Sequence, residues 1–265
     1  MTYRHFLSLL ACTVLWLAGP AFADKFTNSC AAPQFPSATP TNIDNLCGVA
    51  GTPGSSEAGQ NQVKNSFCAT GPANPIAIAD LVALQDKVQQ NKSINFGNKS
   101  DHPLTKKAGP PKDRTPLTVL GEGNLVALQG YVLIARQEGE ESVNCGKAVP
   151  RASANYDIHI SLVDAPTGQV ECSGVVAEMI PHHRPATWTE SHVEAVATAH
   201  LPVRVTGQLF FDSSHTPCVS GVPVQNDPSR ASLWEIHPIY KFEVCTEGTC
   251  ESGSGWVPLE QWKAK

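Results

Sequence analysis

The chain has 265 residues, 41% hydrophobic and 16% charged, with 19 Lys and Arg against 24 Asp and Glu and a formal net charge of −5. This mildly acidic balance argues against a non-specific nucleic-acid binder, and no stretch past residue 23 approaches the roughly 20 apolar residues of a membrane span. Nine cysteines with 21 prolines and 20 glycines suit a cross-linked, turn-rich chain.

The opening residues read as a secretory signal peptide over residues 1–23. Arg4 precedes an apolar run from Phe6 to Phe22, and Ala21-Phe22-Ala23 supplies a small-x-small cleavage signal. Cleavage leaves Asp24 first and takes the net charge from −5 to −6, because Arg4 is the only Lys, Arg, Asp or Glu removed. Leu9-Leu10-Ala11-Cys12 has the look of a lipobox, but the apolar run continues well past Cys12, which disfavours a lipid anchor there. The expected location is secreted or periplasmic. Cys30, Cys47, Cys68, Cys145, Cys172, Cys218, Cys245 and Cys250 then remain. An even number of cysteines in an exported chain, with no paired C-x-x-C spacing, points to disulfides rather than thiolate-bound zinc. Eight cysteines allow about 105 connectivities, and the spacing selects none.

Residues 24–116 read as an irregular, disulfide-tethered arm rich in Pro, Gly, Ser, Ala and Asn, with little regular structure before residue 71. One amphipathic helix is expected over about Pro75 to Gln90. Asn74 is placed to cap it, Pro75 lies in its first turn, and Ile78, Leu81, Val82, Leu84 and Val88 form its apolar stripe. Between Lys87 and Arg114 basic residues outnumber acids, the pattern of a solvated, proline-punctuated linker.

From residue 117 to 250 the pattern becomes that of strands. Leu125 to Arg136 is a long run broken by Gly130, where a strand can bend to serve two sides of a barrel. Tyr156 to Val163 alternates, with Ile158, Ile160 and Leu162 inward and Asp157, His159 and Ser161 outward. Val175 to Ile180 carries Glu178. Thr187-Trp-Thr-Glu190 has the form of a capping box opening a short helix over about Trp188 to Ala199. Two long strands follow. The first turns Val203, Val205, Gly207, Leu209 and Phe211 to one side and Arg204, Thr206, Gln208 and Asp212 to the other. The second turns Trp234, Ile236, Pro238, Tyr240, Phe242 and Val244 inward, and Glu235, His237, Lys241 and Glu243 outward. Three strands, a short helix and two strands make a mainly β chain with an OB-like five-stranded barrel, followed by a C-terminal tail over 251–265.

The segments Gly121-Glu-Gly-Asn-Leu125, Glu141-Ser-Val-Asn-Cys145, Asp157-Ile-His159, Pro202-Val-Arg-Val-Thr-Gly207, Phe211-Asp-Ser-Ser-His215 and Trp234-Glu-Ile-His-Pro238 resemble those of a group of exported bacterial proteins of uncharacterised function. The resemblance covers about residues 117–244. It implies a bacterial source and assigns no residue a role.

The OB strand order brings Asp157, His159, Glu178, Glu235 and His237 onto neighbouring strands. Asp157 with His159, and Glu235 with His237, are i and i+2 pairs that point the same way. Arg204 on the fourth strand and His215 at its exit complete the candidate ligand-binding set. His159, Glu235 and His237 are the candidate ligands for a divalent metal, since imidazole and carboxylate suit Zn²⁺ or Mn²⁺. Cross-strand His and carboxylate pairs also satisfy one another without any ion, and no H-E-x-x-H, G-x-S-x-G or phosphate-cradling glycine motif selects a chemistry. The expectation is an exported OB-like module that binds a ligand, an oligosaccharide or nucleic acid, on its polar strand face between the loops at 137–153 and 213–231. A metal-dependent hydrolase of esters or phosphodiesters, using the same cluster, and a structural envelope protein are the alternatives.

Overall fold

The computed structural model describes residues 43, 48, 50–52, 58–91, 94, 114–146, 155–224, 228–247, 250 and 253–264. The expected signal peptide, Cys12, Cys30, Cys47 and most of the expected basic linker lie outside them. The described elements are α1 (Ala58–Lys64), β1 (Asn74–Ile76), α2 (Ile78–Gln90), α3 (Thr115–Val119), β2 (Leu125–Gln137), β3 (Ile158–Val163), β4 (Val175–Met179), α4 (Glu190–Thr198), β5 (Pro202–Phe211), β6 (Trp234–Cys245) and β7 (Trp256–Pro258).

Five strands close in the order β2-β3-β4-β6-β5 and back to β2, with β4 parallel to β6 and the other neighbours antiparallel. This is the OB-like barrel expected from the sequence. Closure depends on β2 serving two partners. Leu125 to Tyr131 pair with β5, and Tyr131 to Gln137 pair with β3. The change of partner falls beside Gly130, where a Cβ would sit 2.9 Å from the carbonyl oxygen of Val163. Inside the barrel Leu128, Ile160, Ala177, Val205, Ile236 and Phe242 belong to one continuous apolar core.

α4 lies between β4 and β5 in the chain and buries Val193 and Val196 in that core. It begins later than expected. Thr189, not Thr187, is the N-cap, accepting from the His192 amide at 3.2 Å, while Thr187 uses its carbonyl to accept from the His192 ring at 2.9 Å. The arm helix also starts later, at Ile78. Asn74–Ile76 forms β1, parallel to β2; Ala77, not Asn74, is the N-cap, and the Asp80 carboxylate reaches back from the first turn to accept from its amide at 2.9 Å. A proline lacks a donor but is tolerated on such an edge strand. α2 docks through buried Leu81 and Val88; Ser232 donates to the Leu81 carbonyl and the Leu233 amide donates to Gln85.

Two helices were not anticipated, α1 inside the arm and α3 around Pro116. The C-terminal segment contributes β7 to the sheet, Trp262 stacks on His192, and Trp188 donates to Glu260. Disulfides join Cys172 to Cys218 and Cys245 to Cys250, and Cys68 and Cys145 are also disulfide-bonded. Disulfides of this number accord with an oxidising compartment. Among the described residues no helix is long and apolar enough to cross a membrane.

Of the residues expected to point inward from β6, Trp234, Ile236, Phe242 and Val244 belong to the barrel core and Tyr240 does not. Register shifts opposite Gly207 place Ile239 in the barrel core and turn Tyr240 to the other face, against Phe67 and Ile180. β-bulges have this effect because one extra residue reverses the side to which the next one points.

Candidate functional site

The polar strand face does not open to solvent. Asp157, Glu178, Asp212, Glu235 and His237 are fully buried and His159 nearly so. Asp157, His159, Asp212, Glu235 and His237 face away from the barrel core, as their alternation with Ile158, Ile160, Phe211, Trp234 and Ile236 requires, and Glu178, for which the sequence alone assigns no side, joins them; a second layer covers all six. Residues Gln60 to Ala69 supply that roof. Gln208 donates to the Val63 carbonyl at 2.8 Å, Asn65 to the Val143 carbonyl at 3.1 Å, and the Tyr240 hydroxyl to the Ser66 carbonyl at 2.8 Å. Lys64, the last residue of α1, sends its ammonium into the cluster.

Glu178 is at the centre. Its Oε1 lies 3.0 Å from His159 Nε2, its Oε2 lies 2.6 Å from His237 Nε2, and Lys64 Nζ is 3.9 Å from Oε2. Cross-strand register produces part of this, since His159 pairs directly with Glu178 across β3 and β4. On one side Asp157 and Glu138 flank His159 at 3.6 and 3.4 Å. On another, Lys64 reaches Asp212 at 2.9 Å and Glu141 at 3.9 Å, and His215 lies 3.7 Å from Asp212. Glu235 pairs through Oε2 with Arg230 Nη1 at 2.7 Å. Arg204 does not join the cluster. It pairs with Glu243 at 2.7 Å and lies over the Trp256 ring.

Electrostatics follow from burial and from the excess of carboxyl groups. Burial by itself favours neutral forms. It opposes the Glu178 charge, yet His159, Lys64 and His237 hold that carboxylate well below its usual range. Burial likewise opposes the charges of Lys64 and His159, and the surrounding acids outweigh it, raising both well above their ordinary values. Asp212 is held below the carboxylate range against burial by Lys64 and His215. Where acids crowd, the sign reverses. Burial, then the charges of Asp157 and Glu178, push Glu141 up to about 8. Burial, Glu178 and Asp212 raise Glu235 well above its ordinary value, with Arg230 opposing. His215 is lowered by burial and by Arg230.

Many of these atoms lack a well-directed hydrogen bond. Both oxygens of Asp157 and Glu178, Glu235 Oε1, Asp212 Oδ2 and both ring nitrogens of His159 and His237 are buried without one, although several lie at ion-pair distance. Among the described residues, three sets of potential metal ligands converge to within 4.8 Å: Glu141, Asp157 and His159; Glu178, Asp212 and His215; and Glu178, Glu235 and His237. The last contains Glu235 and His237 of the expected metal triad and replaces His159 by Glu178, which bridges to His159 through its other oxygen.

A pocket of about 250 Å³ leads toward this region, lined by Gln60, Asn61, Lys64, Glu141, Ser214 and His215 among others. Sequence reasoning singled out neither Lys64 nor Glu141 as a site residue. Gln60, Asn61, Lys64 and Asn65 do pair polar groups at helical spacing just before Cys68, the one local sign of a polar helix with something to cover. No protein-family model, curated protein or solved structure matches the chain.

Proposed function

We propose that this mainly β protein is an exported binding module whose OB-like barrel holds a divalent cation in its buried His/Asp/Glu cluster. The centre is Glu178, Glu235 and His237, with His159 on the far oxygen of Glu178. One observation carries this reading: in a fully buried trio the ligand atoms of Glu178, Glu235 and His237 converge to within 4.8 Å, and among the described residues Glu235 Oε1 has no hydrogen bond, while Glu178 and His237 are held only by each other and by neighbouring bases. Buried acceptors left so are costly, about 1–3 kcal/mol each and more for charged groups, unless something is bound. One imidazole with two carboxylates suits Zn²⁺ or Mn²⁺. Burial first, and then the charges of Glu178 and Asp212, raise the proton affinity of Glu235, and a cation would relieve the second of these. An oligosaccharide or nucleic acid laid along an open strand face has no support here, because that face is roofed by Gln60 to Ala69.

Titration calorimetry of the metal-free full chain with Zn²⁺ and Mn²⁺ tests the proposal. One ion per chain is expected, weakened at least tenfold by His237→Ala and by Glu178→Gln. Affinity should fall with pH, since ligands must shed protons to bind. Weak binding indistinguishable among all three proteins eliminates the site.

Hydrolysis is the second reading, and Glu141 favours it. A carboxyl at the pocket wall with its pKa pushed up to about 8 is tuned for general acid work near neutrality. Metal-dependent cleavage of an aryl phosphodiester, lost in Glu141→Gln, is the expected sign; no turnover by the metal-loaded protein removes this reading and leaves the binding module.

A further inference from the structure

Lys64 and Asp212 form an unusual ion pair. Their atoms lie 2.9 Å apart, with side-chain exposures of only 5% and 0%. They come from the arm and from the exit of β5, so a bond between them would tie the roof of the cluster to the barrel. Buried ion pairs contribute little net stability against their desolvation cost, which makes the surroundings of this one informative.

Those surroundings treat the two oxygens of Asp212 differently. Oδ1 accepts from the Ser214 amide at 2.6 Å and from Gln60 Nε2 at 3.5 Å. Oδ2 faces Lys64 Nζ and has no directed hydrogen bond. Glu178 Oε2 is 3.9 Å from Nζ, and ligand atoms of Glu178, Asp212 and His215 lie within 4.8 Å of one another. One oxygen is thus held by two N–H donors, as in an oxyanion hole, while the other stands between an amine and a proton carrier.

We propose that Lys64 and Asp212 condense without a cofactor to an intramolecular isopeptide bond, with Glu178 carrying the proton. Reaction proceeds through the minor neutral form of the pair, since, against burial, the surrounding acids favour the Lys64 ammonium and the surrounding bases the Asp212 carboxylate: one proton passes from Nζ to Oδ2, leaving an amine and a carboxylic acid. The Nζ lone pair attacks Cγ, and negative charge gathers on Oδ1 against the Ser214 and Gln60 donors. Glu178 takes the second proton from Nζ and delivers it to Oδ2. The Cγ–Oδ2 bond breaks and water leaves with both protons. An amide forms, nothing is oxidised or reduced, and Glu178 is regenerated. In bulk water hydrolysis opposes this condensation. Burial removes bulk water from the pair, and fixed orientation supplies effective concentrations of about 10⁵ M or more. Glu178 is also the central ligand of the proposed cation site, so the condensation belongs to the metal-free chain; Glu178 is regenerated by it and is free to hold an ion afterwards.

The test is the intact mass of the full chain after reduction and denaturation, with a peptide map. The expected result is a mass lighter by one water than the sequence requires, no tryptic cleavage after residue 64, and a branched peptide joining Lys64 to Asp212. Lys64→Arg should restore the full mass. A wild-type chain at its full sequence mass overturns the proposal. So does a loss of water that fragmentation confines to the peptide around Asp212 alone, the mark of a cyclic imide with Ser213, or one that persists in Lys64→Arg. Because the wild type itself decides, a variant that fails to fold does not obscure the answer.

Discussion

At the scale of single residues, burying charge is tolerable only where each charge has an arranged partner, and the chain shows two ways of doing this. Glu122 is fully buried, yet its carboxylate is fully engaged: Arg114 approaches through Nε at 2.9 Å and also through Nη2, and the Phe211 amide donates to Oε1 at 3.0 Å. The guanidinium also lies over the Phe210 ring and donates to the Phe211 carbonyl. Glu178 has more basic neighbours, His159 at 3.0 Å, His237 at 2.6 Å and Lys64 at 3.9 Å, but no backbone donor and no two-pronged guanidinium to fix its oxygens. The first arrangement is structural, whereas the second leaves acceptors for something else. Glu122→Ala should strand the Arg114 charge and cost about 3–5 kcal/mol in urea unfolding, while the barrel's affinity for Zn²⁺ stays unchanged in whatever fraction remains folded. A loss below about 1 kcal/mol, the worth of a surface pair, would show that Arg114 finds solvent when Glu122 is gone.

At the scale of elements, closure of the barrel rests on the bend in β2. The Gly130 Cβ position is blocked by backbone, the Val163 carbonyl oxygen at 2.9 Å, which cannot rotate away as a side chain can. Gly130→Ala should destabilise by about 1–3 kcal/mol, the cost of overpacking, read as a lower denaturation midpoint with an unchanged m-value; a neutral outcome would mean that β2 and β3 can separate there without loss. This bend was legible beforehand, as were all five barrel strands and α4, because period-two alternation and turn residues are local signals. Tyr240 was misplaced for a related reason: alternation cannot announce a bulge, and the extra residue in β6 is set by its pairing with β5. Asn74 misled because Asn before Pro favours a helix start locally, whereas pairing with β2 drew Asn74–Ile76 into a strand. The carboxylates and histidines of the cluster were legible from i and i+2 spacing. Their burial was not, since the roof comes from residues 60–69, far away in sequence and without an apolar stripe.

At the scale of the whole molecule, the roof turns a polar sheet face into an enclosed site with more acid than base, and pH should act on the metal-free fold through that imbalance. Glu178 has a depressed value when folded, so its stabilisation is present above the ordinary carboxylate range near 4 and is lost as pH falls through its folded value. His159 and Glu141 act in the opposite sense. His159 is raised, so its contribution is complete below about 6.5 and disappears as pH rises through its folded value. Glu141 keeps its proton to about 8 when folded but loses it near 4.3 when unfolded, so stability declines across that interval. Metal-free protein should therefore be most stable on the acid side of neutrality and weaken from about pH 5 to pH 8. A bound cation reverses the slope, because it takes over the charge that those protons supply and binds better as they leave. At 100 times Kd it should add about 2.7 kcal/mol, equivalent to some 5–10 °C in a domain of this size. Thermal unfolding with chelator and with Zn²⁺ at pH 5, 6.5 and 8 measures both slopes. Parallel curves, with no widening of the gap toward pH 8, would mean that the protons of the cluster and the metal do not compete for the same place.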